Sequence, residues 1–118
     1  MHLNFKKYYF INDCDTKVLD NQDKQTSIIY RNYSHSKLDK KLLINLRNYC
    51  RKKNLQVYLA NNFKLALDLK FDGAYIPSFN SSKKHLSYSI GKNFEIIGSA
   101  HNIQELRIKE IQNVNRII

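Results

Sequence analysis

The stretch LQVYLANNFKLALDLKFDGAYIP (55–77) contains a complete strand–helix–strand unit. Residues 55–60 are apolar and rich in strand-forming types, and 62–70 then carry apolar side chains at helical spacing. An Asp-Gly pair opens the apolar run 73–77, which is predicted to be the next strand. A strand, a helix and a second strand in this order predict two parallel strands joined by a helix.

The same alternation continues on both sides of this unit. Further strands are predicted at 8–12, 26–31, 94–98 and 115–118, and further helices at 38–54, 81–90 and 102–113. Asn102, with Glu105 three residues on, gives the last helix a start that resembles a capping box. Short strands that are apolar on both faces are typical of buried parallel strands. We therefore expect an α/β fold of parallel βα repeats in one domain spanning 1–118.

Six parallel strands fit two architectures. One is a doubly wound open sheet, and the other is a partial TIM (β/α)8-type barrel that lacks its last two units. There is no GxGxxG motif after the first strand and no GxxxxGK[ST] motif, so dinucleotide and P-loop binding have no support. In both architectures ligands bind at the carboxyl ends of the strands, which makes the strand-ending residues the candidates for a site.

Length and composition limit the class of protein. The 118 residues suffice for one hydrophobic core, and no apolar run approaches the ~20 residues of a membrane span. The N-terminal stretch lacks the apolar core of a signal peptide. Cys14 and Cys50 have no CxxC spacing. We expect a cytoplasmic protein with reduced thiols that does not enter a membrane.

The formal net charge of +10 could reflect nucleic acid or another polyanion as partner, but a codon bias that enriches Lys, Asn, Ile and Tyr is the favoured explanation. The basic residues are scattered in short groups, and no nucleic-acid motif is present. Nucleic-acid binding is therefore the less favoured interpretation, and a smaller polyanion such as a phosphorylated metabolite is compatible with the charge.

Polar residues follow the second and third predicted strands. Arg31 could bind a phosphate or a carboxylate through two hydrogen bonds, or it could pair with an acid on the surface. Asn61 and Asn62 could contact a ligand, although helix capping is the commoner role for an asparagine at the position of Asn62.

The stretch IIGSAHN (96–102) ends the fifth predicted strand with small residues. Such residues would allow an anion to approach the start of the following helix, where the Ser99 hydroxyl could donate to it. His101 could transfer a proton or donate to a phosphate. The alternatives are a small turn residue for Ser99 and a surface side chain for His101.

Four stretches together resemble the thiamine phosphate synthase family, including its thiazole tautomerase branch. They are YYFIND (8–13), IIYRNY (28–33), the opening stretch 55–77 and IIGSAHNIQEL (96–106). The resemblance covers the chain from about residue 7 to residue 118. It implies a (β/α)8 barrel that joins an aminopyrimidine diphosphate to a thiazole phosphate and releases pyrophosphate, with Mg²⁺ as cofactor.

The resemblance also implies roles for the strand-end residues. Arg31 and Ser99 match the residues that bind the diphosphate. Asn61 matches the asparagine that contacts the pyrimidine, and His101 matches the histidine that moves a proton in the tautomerase branch.

The chain departs from the family pattern at several positions. Asn62 and Asn80 stand where the family has two Mg²⁺-binding aspartates, and neutral amides are expected to bind Mg²⁺ poorly. Ile29 and Tyr33 replace a glutamine and a lysine. The later phosphate-binding strands of the family would lie beyond Ile118.

Two hypotheses about function follow from this resemblance. The first is a thiamine phosphate synthase-like protein of thiamine biosynthesis, either a transferase or, without metal, a thiazole tautomerase-type isomerase. The second is a degenerate, non-catalytic paralogue or fragment that serves as a ligand-binding or interaction domain. Under either hypothesis, self-association is one way to cover the open sheet edges.

Overall fold

The computed structural model describes residues 6–32 and 39–118, so that Tyr33 and the predicted helix start at Leu38 lie outside it. The elements are β1 (Lys7–Ile11), α1 (Thr16–Asp20), β2 (Thr26–Tyr30), α2 (Lys40–Lys52), β3 (Gln56–Ala60), α3 (Phe63–Asp68), β4 (Gly73–Ile76), the 3-10 turn Lys84–Ser87, β5 (Glu95–Gly98), α4 (Ile103–Ile111) and β6 (Arg116–Ile117). None of the helices in these two ranges is long and apolar enough to cross a membrane.

The strand order decides between the two predicted architectures. The six strands are hydrogen-bonded neighbours in chain order, β1 to β6. The pairs β1–β2, β4–β5 and β5–β6 are parallel, with Tyr75 opposite Ile97 in the second pair. A doubly wound sheet reverses its strand order at a switch point, and this order has no reversal. The α/β prediction is confirmed, and the order is that of a partial (β/α)8-type barrel.

The chain divides into two compact units, residues 1–58 and 59–118, with the boundary inside β3. In the first unit every residue of β2 is buried. Helix α2 starts at its cap Asp39 and buries Leu43, Leu46 and Cys50 on one face. A five-residue helix, α1, that the periodicity does not predict follows β1 and buries Leu19. The prediction of a single domain stays a prediction.

The second unit has its core around β4 and β5. All of β4 and the last three residues of β5 are buried. From α3, Phe63 stacks on the His85 ring at a centroid distance of 4.6 Å and lies 5.3 Å from the Phe94 ring. These rings join α3 to the segment between β4 and β5, which carries part of the candidate site described below.

The predicted helix at 81–90 is wrong in extent, because only the turn Lys84–Ser87 forms. A regular helix would use the Ser82 carbonyl to accept from the N–H of Leu86, four residues on. That carbonyl accepts instead from Nε2 of Gln112 at 2.9 Å. The Leu86 N–H donates to the Lys83 carbonyl at 3.1 Å, which is the three-residue bond of a 3-10 turn.

Packing inside the fold leaves no room for a side chain at Gly98, which lies at the end of β5. A Cβ added there would lie 2.9 Å from Cδ of Lys109 and 3.1 Å from the carbonyl oxygen of Ile76. That oxygen belongs to the adjacent strand and cannot withdraw without disturbing the sheet. The Lys109 stem fills the space beside Gly98, which the sequence suggested was left for an anion.

We predict that Gly98→Ala lowers the free energy of unfolding by about 1–3 kcal/mol, because the methyl group overpacks a strand. Gly91→Ala is the matched control. Nothing lies within 4 Å of a Cβ at Gly91 and its φ is not positive, so the control should be neutral or slightly stabilising. Urea denaturation of both variants is the measurement, and equal stability of the two would contradict the packing described for Gly98.

Candidate functional site

The second unit has a cleft at the carboxyl ends of β3 and β4, which we call the asparagine cleft. Its volume is about 170 Å³. It is lined by Asn61, Asn62, Phe63, Lys64, Ala74, Tyr75, Ile76, Asn80, Ser82, Lys84, His85 and Tyr88. The lining thus contains two lysines and no carboxylate. A cleft at this end of parallel strands is where the fold predicts a ligand.

Two of the predicted site residues are joined inside this cleft. Nδ2 of Asn80 donates to Oδ1 of Asn61 at 2.9 Å. Asn61 has a φ of 69°, a left-handed conformation that asparagine tolerates better than most residues, and its N–H donates to the Tyr75 carbonyl at 2.9 Å. Oδ1 of Asn80 accepts from the N–H of Ser82 at 2.9 Å. These hydrogen bonds hold both residues in place at the cleft.

Asn62 caps α3, as the commoner interpretation of its position predicted. Its Oδ1 accepts from the N–H of Leu65 at 3.2 Å. The structure gives this side chain a local structural role, while the ligand role implied by the resemblance stays a prediction.

The donor set of the cleft does not fit Mg²⁺. Asn62 and Asn80 offer neutral amide oxygens, and each oxygen already accepts a backbone N–H. Mg²⁺ requires near-octahedral oxygen ligands and is usually bound through carboxylates and phosphates, whereas the lining holds no carboxylate. Within residues 6–32 and 39–118, no group of three or more His, Cys, Asp or Glu side chains could hold a metal ion.

Ser99 reaches the cleft through Tyr75. The two hydroxyl groups are hydrogen-bonded at 2.6 Å, and Tyr75 itself lines the cleft from β4. The N–H of Ser99 donates to the Ile76 carbonyl at 3.2 Å. Ser99 is not a lining residue, so its direct contact with an anion stays a prediction.

His101 lies at the start of α4 and outside the lining of the cleft. Its side chain is 77% exposed, and Nδ1 lies 3.4 Å from Oε1 of Glu105. The same oxygen accepts from the His101 N–H at 2.9 Å, while the Glu105 N–H donates to Oδ1 of Asn102 at 2.8 Å. The predicted capping of α4 by Asn102 is confirmed. Proton transfer by His101 stays a prediction.

Arg31 belongs to the first unit and lines a different cleft, of about 410 Å³, with Tyr9, Asn12, Asp13 and Asp15 among the other lining residues. Its guanidinium carbon lies 4.3 Å from the centroid of the Phe10 ring. This distance is within the range of a cation–π interaction. Since two carboxylates share this cleft, its charge is mixed, in contrast to the asparagine cleft.

Sequence reasoning missed three buried polar residues beside the asparagine cleft. Lys109 and Gln112 are fully buried, and His85 is 4% exposed. Nζ of Lys109 donates to the Asn80 carbonyl at 3.0 Å. The ring of His85 donates from Nε2 to the Gln112 carbonyl at 2.7 Å, because a carbonyl oxygen can only accept. Lysine and glutamine on a helix are usually exposed, so only their three-residue spacing hinted at a shared face.

A comparison with protein-family models gave no match, and a comparison with curated proteins gave none either. The resemblance to thiamine phosphate synthases therefore stays a prediction.

We predict that Asn62→Ala lowers the free energy of unfolding by about 1 kcal/mol, because α3 loses its cap. Asn62→Asp should change it by only a few tenths, since aspartate caps as well as asparagine does. Thermal or urea unfolding of the two variants is the measurement. An equal loss in both would show that the amide nitrogen of Asn62, and not its capping oxygen, matters.

Burial lowers the pKa of the Lys109 ammonium, and the charge of Glu105 opposes the shift. The unfolded chain therefore binds more protons between the folded pKa and the unfolded value of about 10.4, so this group makes stability rise with pH in that window. We predict that Lys109→Met removes a positive slope of at most about 1.4 kcal/mol per pH unit. Urea unfolding of both proteins from pH 8 to pH 10.5 tests this, and a constant difference between them would contradict it.

Proposed function

We propose that the chain is a thiamine phosphate synthase-like domain that binds a small phosphorylated ligand, a thiazole phosphate or pyrimidine phosphate precursor, in the asparagine cleft. The observation that carries the proposal is the lining itself, which combines lysines, amides and aromatic rings and has no carboxylate. The two lysines of such a lining attract an anion, and no carboxylate is present in it to repel one.

Lys64 and Lys84 are the residues proposed to hold the phosphate. Both are exposed at the cleft, and neither forms an ion pair with any carboxylate in the part of the chain that the structure describes. Their ammonium groups can therefore turn to a phosphate without breaking an existing bond. The amide of Asn61 and the Ser82 hydroxyl lie in the same lining and can supply neutral hydrogen bonds.

The aromatic side of the cleft suits a flat ring. Phe63, His85 and Tyr75 are buried, and Tyr88 lies 5.9 Å from the Phe63 ring. At about 170 Å³ the cleft is smaller than the roughly 300–1,000 Å³ of drug-sized pockets, which favours one ring with one phosphate.

Binding, rather than synthase turnover, is what we propose. No step through Mg²⁺ is included, because the amides of Asn62 and Asn80 do not fit that ion. The proton-transfer candidate, His101, lies outside the lining. What these residues can do together is bind and orient a phosphorylated ring.

The test is calorimetric titration with the thiazole phosphate and with the corresponding thiazole alcohol. We predict saturable binding of the phosphate only, weakened about tenfold by Lys64→Met or by Lys84→Met, because each removes one charge-assisted contact. Lys92→Met is the matched control. Lys92 is exposed on the second unit and is not a lining residue, so its loss should leave the affinity unchanged.

Added Mg²⁺ should not strengthen binding. Absence of saturable binding, or an equal loss of affinity in all three variants, would overturn the proposed function.

A further inference from the structure

Helix α4 and its C-cap residue Gln112 turn polar side chains inward. Lys109 and Gln112 are fully buried, whereas Ile103 is 67% exposed and Ile111 is 52% exposed. Burying an ammonium group is costly unless it is hydrogen-bonded, so this arrangement needs partners on the residues that α4 faces.

The partners are backbone carbonyls of the segment that follows β4. Nζ of Lys109 donates to the Asn80 carbonyl at 3.0 Å. Nε2 of Gln112 donates to the same oxygen at 2.9 Å and to the Ser82 carbonyl at 2.9 Å. The Asn80 oxygen thus accepts from two buried donors, and one of these is a cation.

The same segment carries a wall of the asparagine cleft. Asn80 and Ser82 are lining residues, and the Asn80 side chain is the one that donates to Asn61. Asn80 therefore connects the two sets of contacts. Its backbone carbonyl accepts from Lys109 and Gln112, and its side chain donates to Asn61.

Resting on the proposed phosphate binding, we infer that Lys109 and Gln112 are positioning residues of the asparagine cleft, which hold the Asn80 and Ser82 carbonyls so that the Asn80 amide is presented at the ligand. Neither residue is in the lining. Each acts through Asn80 without touching the ligand.

The test uses inorganic phosphate as the probe and the whole chain as the protein. Lys109→Met keeps the stem beside Gly98, and the Asn80 carbonyl retains its bond from Gln112, so the variant is expected to fold. Its exposed control is Lys92→Met. Gln112→Met has the control Gln104→Met, which is exposed on the same helix.

Phosphate affinity and the side-chain amide signals of Asn61 and Asn80 are followed by NMR titration. We expect about tenfold weaker binding for Lys109→Met and for Gln112→Met, with altered Asn80 amide signals, and no change for either control. In an Asn80→Ala background the effect of Lys109→Met should fall below about twofold, because residues that act through one another are not additive.

Three other results would overturn the inference. If wild type binds phosphate and Lys109→Met still weakens it tenfold in the Asn80→Ala background, Lys109 does not act through Asn80. If Lys109→Met and Gln112→Met bind phosphate like their controls, positioning is absent although the proposed function stands. If wild type binds neither phosphate nor the thiazole phosphate, the proposed function fails, and the inference fails with it.

Discussion

The buried ammonium group of Lys109 constrains much of the second unit. A cation with no exposed surface must be hydrogen-bonded, and the Asn80 carbonyl is its partner at 3.0 Å. Its aliphatic stem needs room, which Gly98 supplies at the end of β5. Its partner carbonyl and that of Ser82 accept from buried side chains, which ties the segment after β4 to α4 and its C-cap.

The second consequence of this constraint is the composition of the cleft. Because the backbone after β4 is held by α4, the side chains of Asn80 and Ser82 face the strand ends that carry Asn61. An amide pair, two lysines and several rings then share one small lining. The carbonyl contacts tie this segment to α4 and its C-cap, and the Asn80 side chain bonds Asn61 at the cleft.

The elements that local patterns define could be predicted from the sequence. The strands needed only apolar runs, and the caps Asn62 and Asn102 needed only an asparagine before a helical pattern. The buried role of Lys109 could not be predicted, because it depends on a contact across 29 residues and on a helix whose polar residues point inward. The 3-10 turn Lys84–Ser87, in place of the helix predicted at 81–90, lies in the same segment.

The candidate site was predicted only in part, for a related reason. Asn61 and Asn80 were proposed separately, as a strand-end residue and through the resemblance, and only the structure shows that their side chains are hydrogen-bonded at one edge of the sheet. The lysines came from α3 and from the turn, where no pattern distinguishes a cleft residue from a solvated one. The two lysines suggest why a phosphate site can have asparagines where the family that the chain resembles has aspartates. Where aspartates would hold a phosphate through Mg²⁺, amides beside two lysines can hold it by direct contact. On the proposed function, Lys64 and Lys84 supply the positive charge that a bridging Mg²⁺ would otherwise bring to the phosphate.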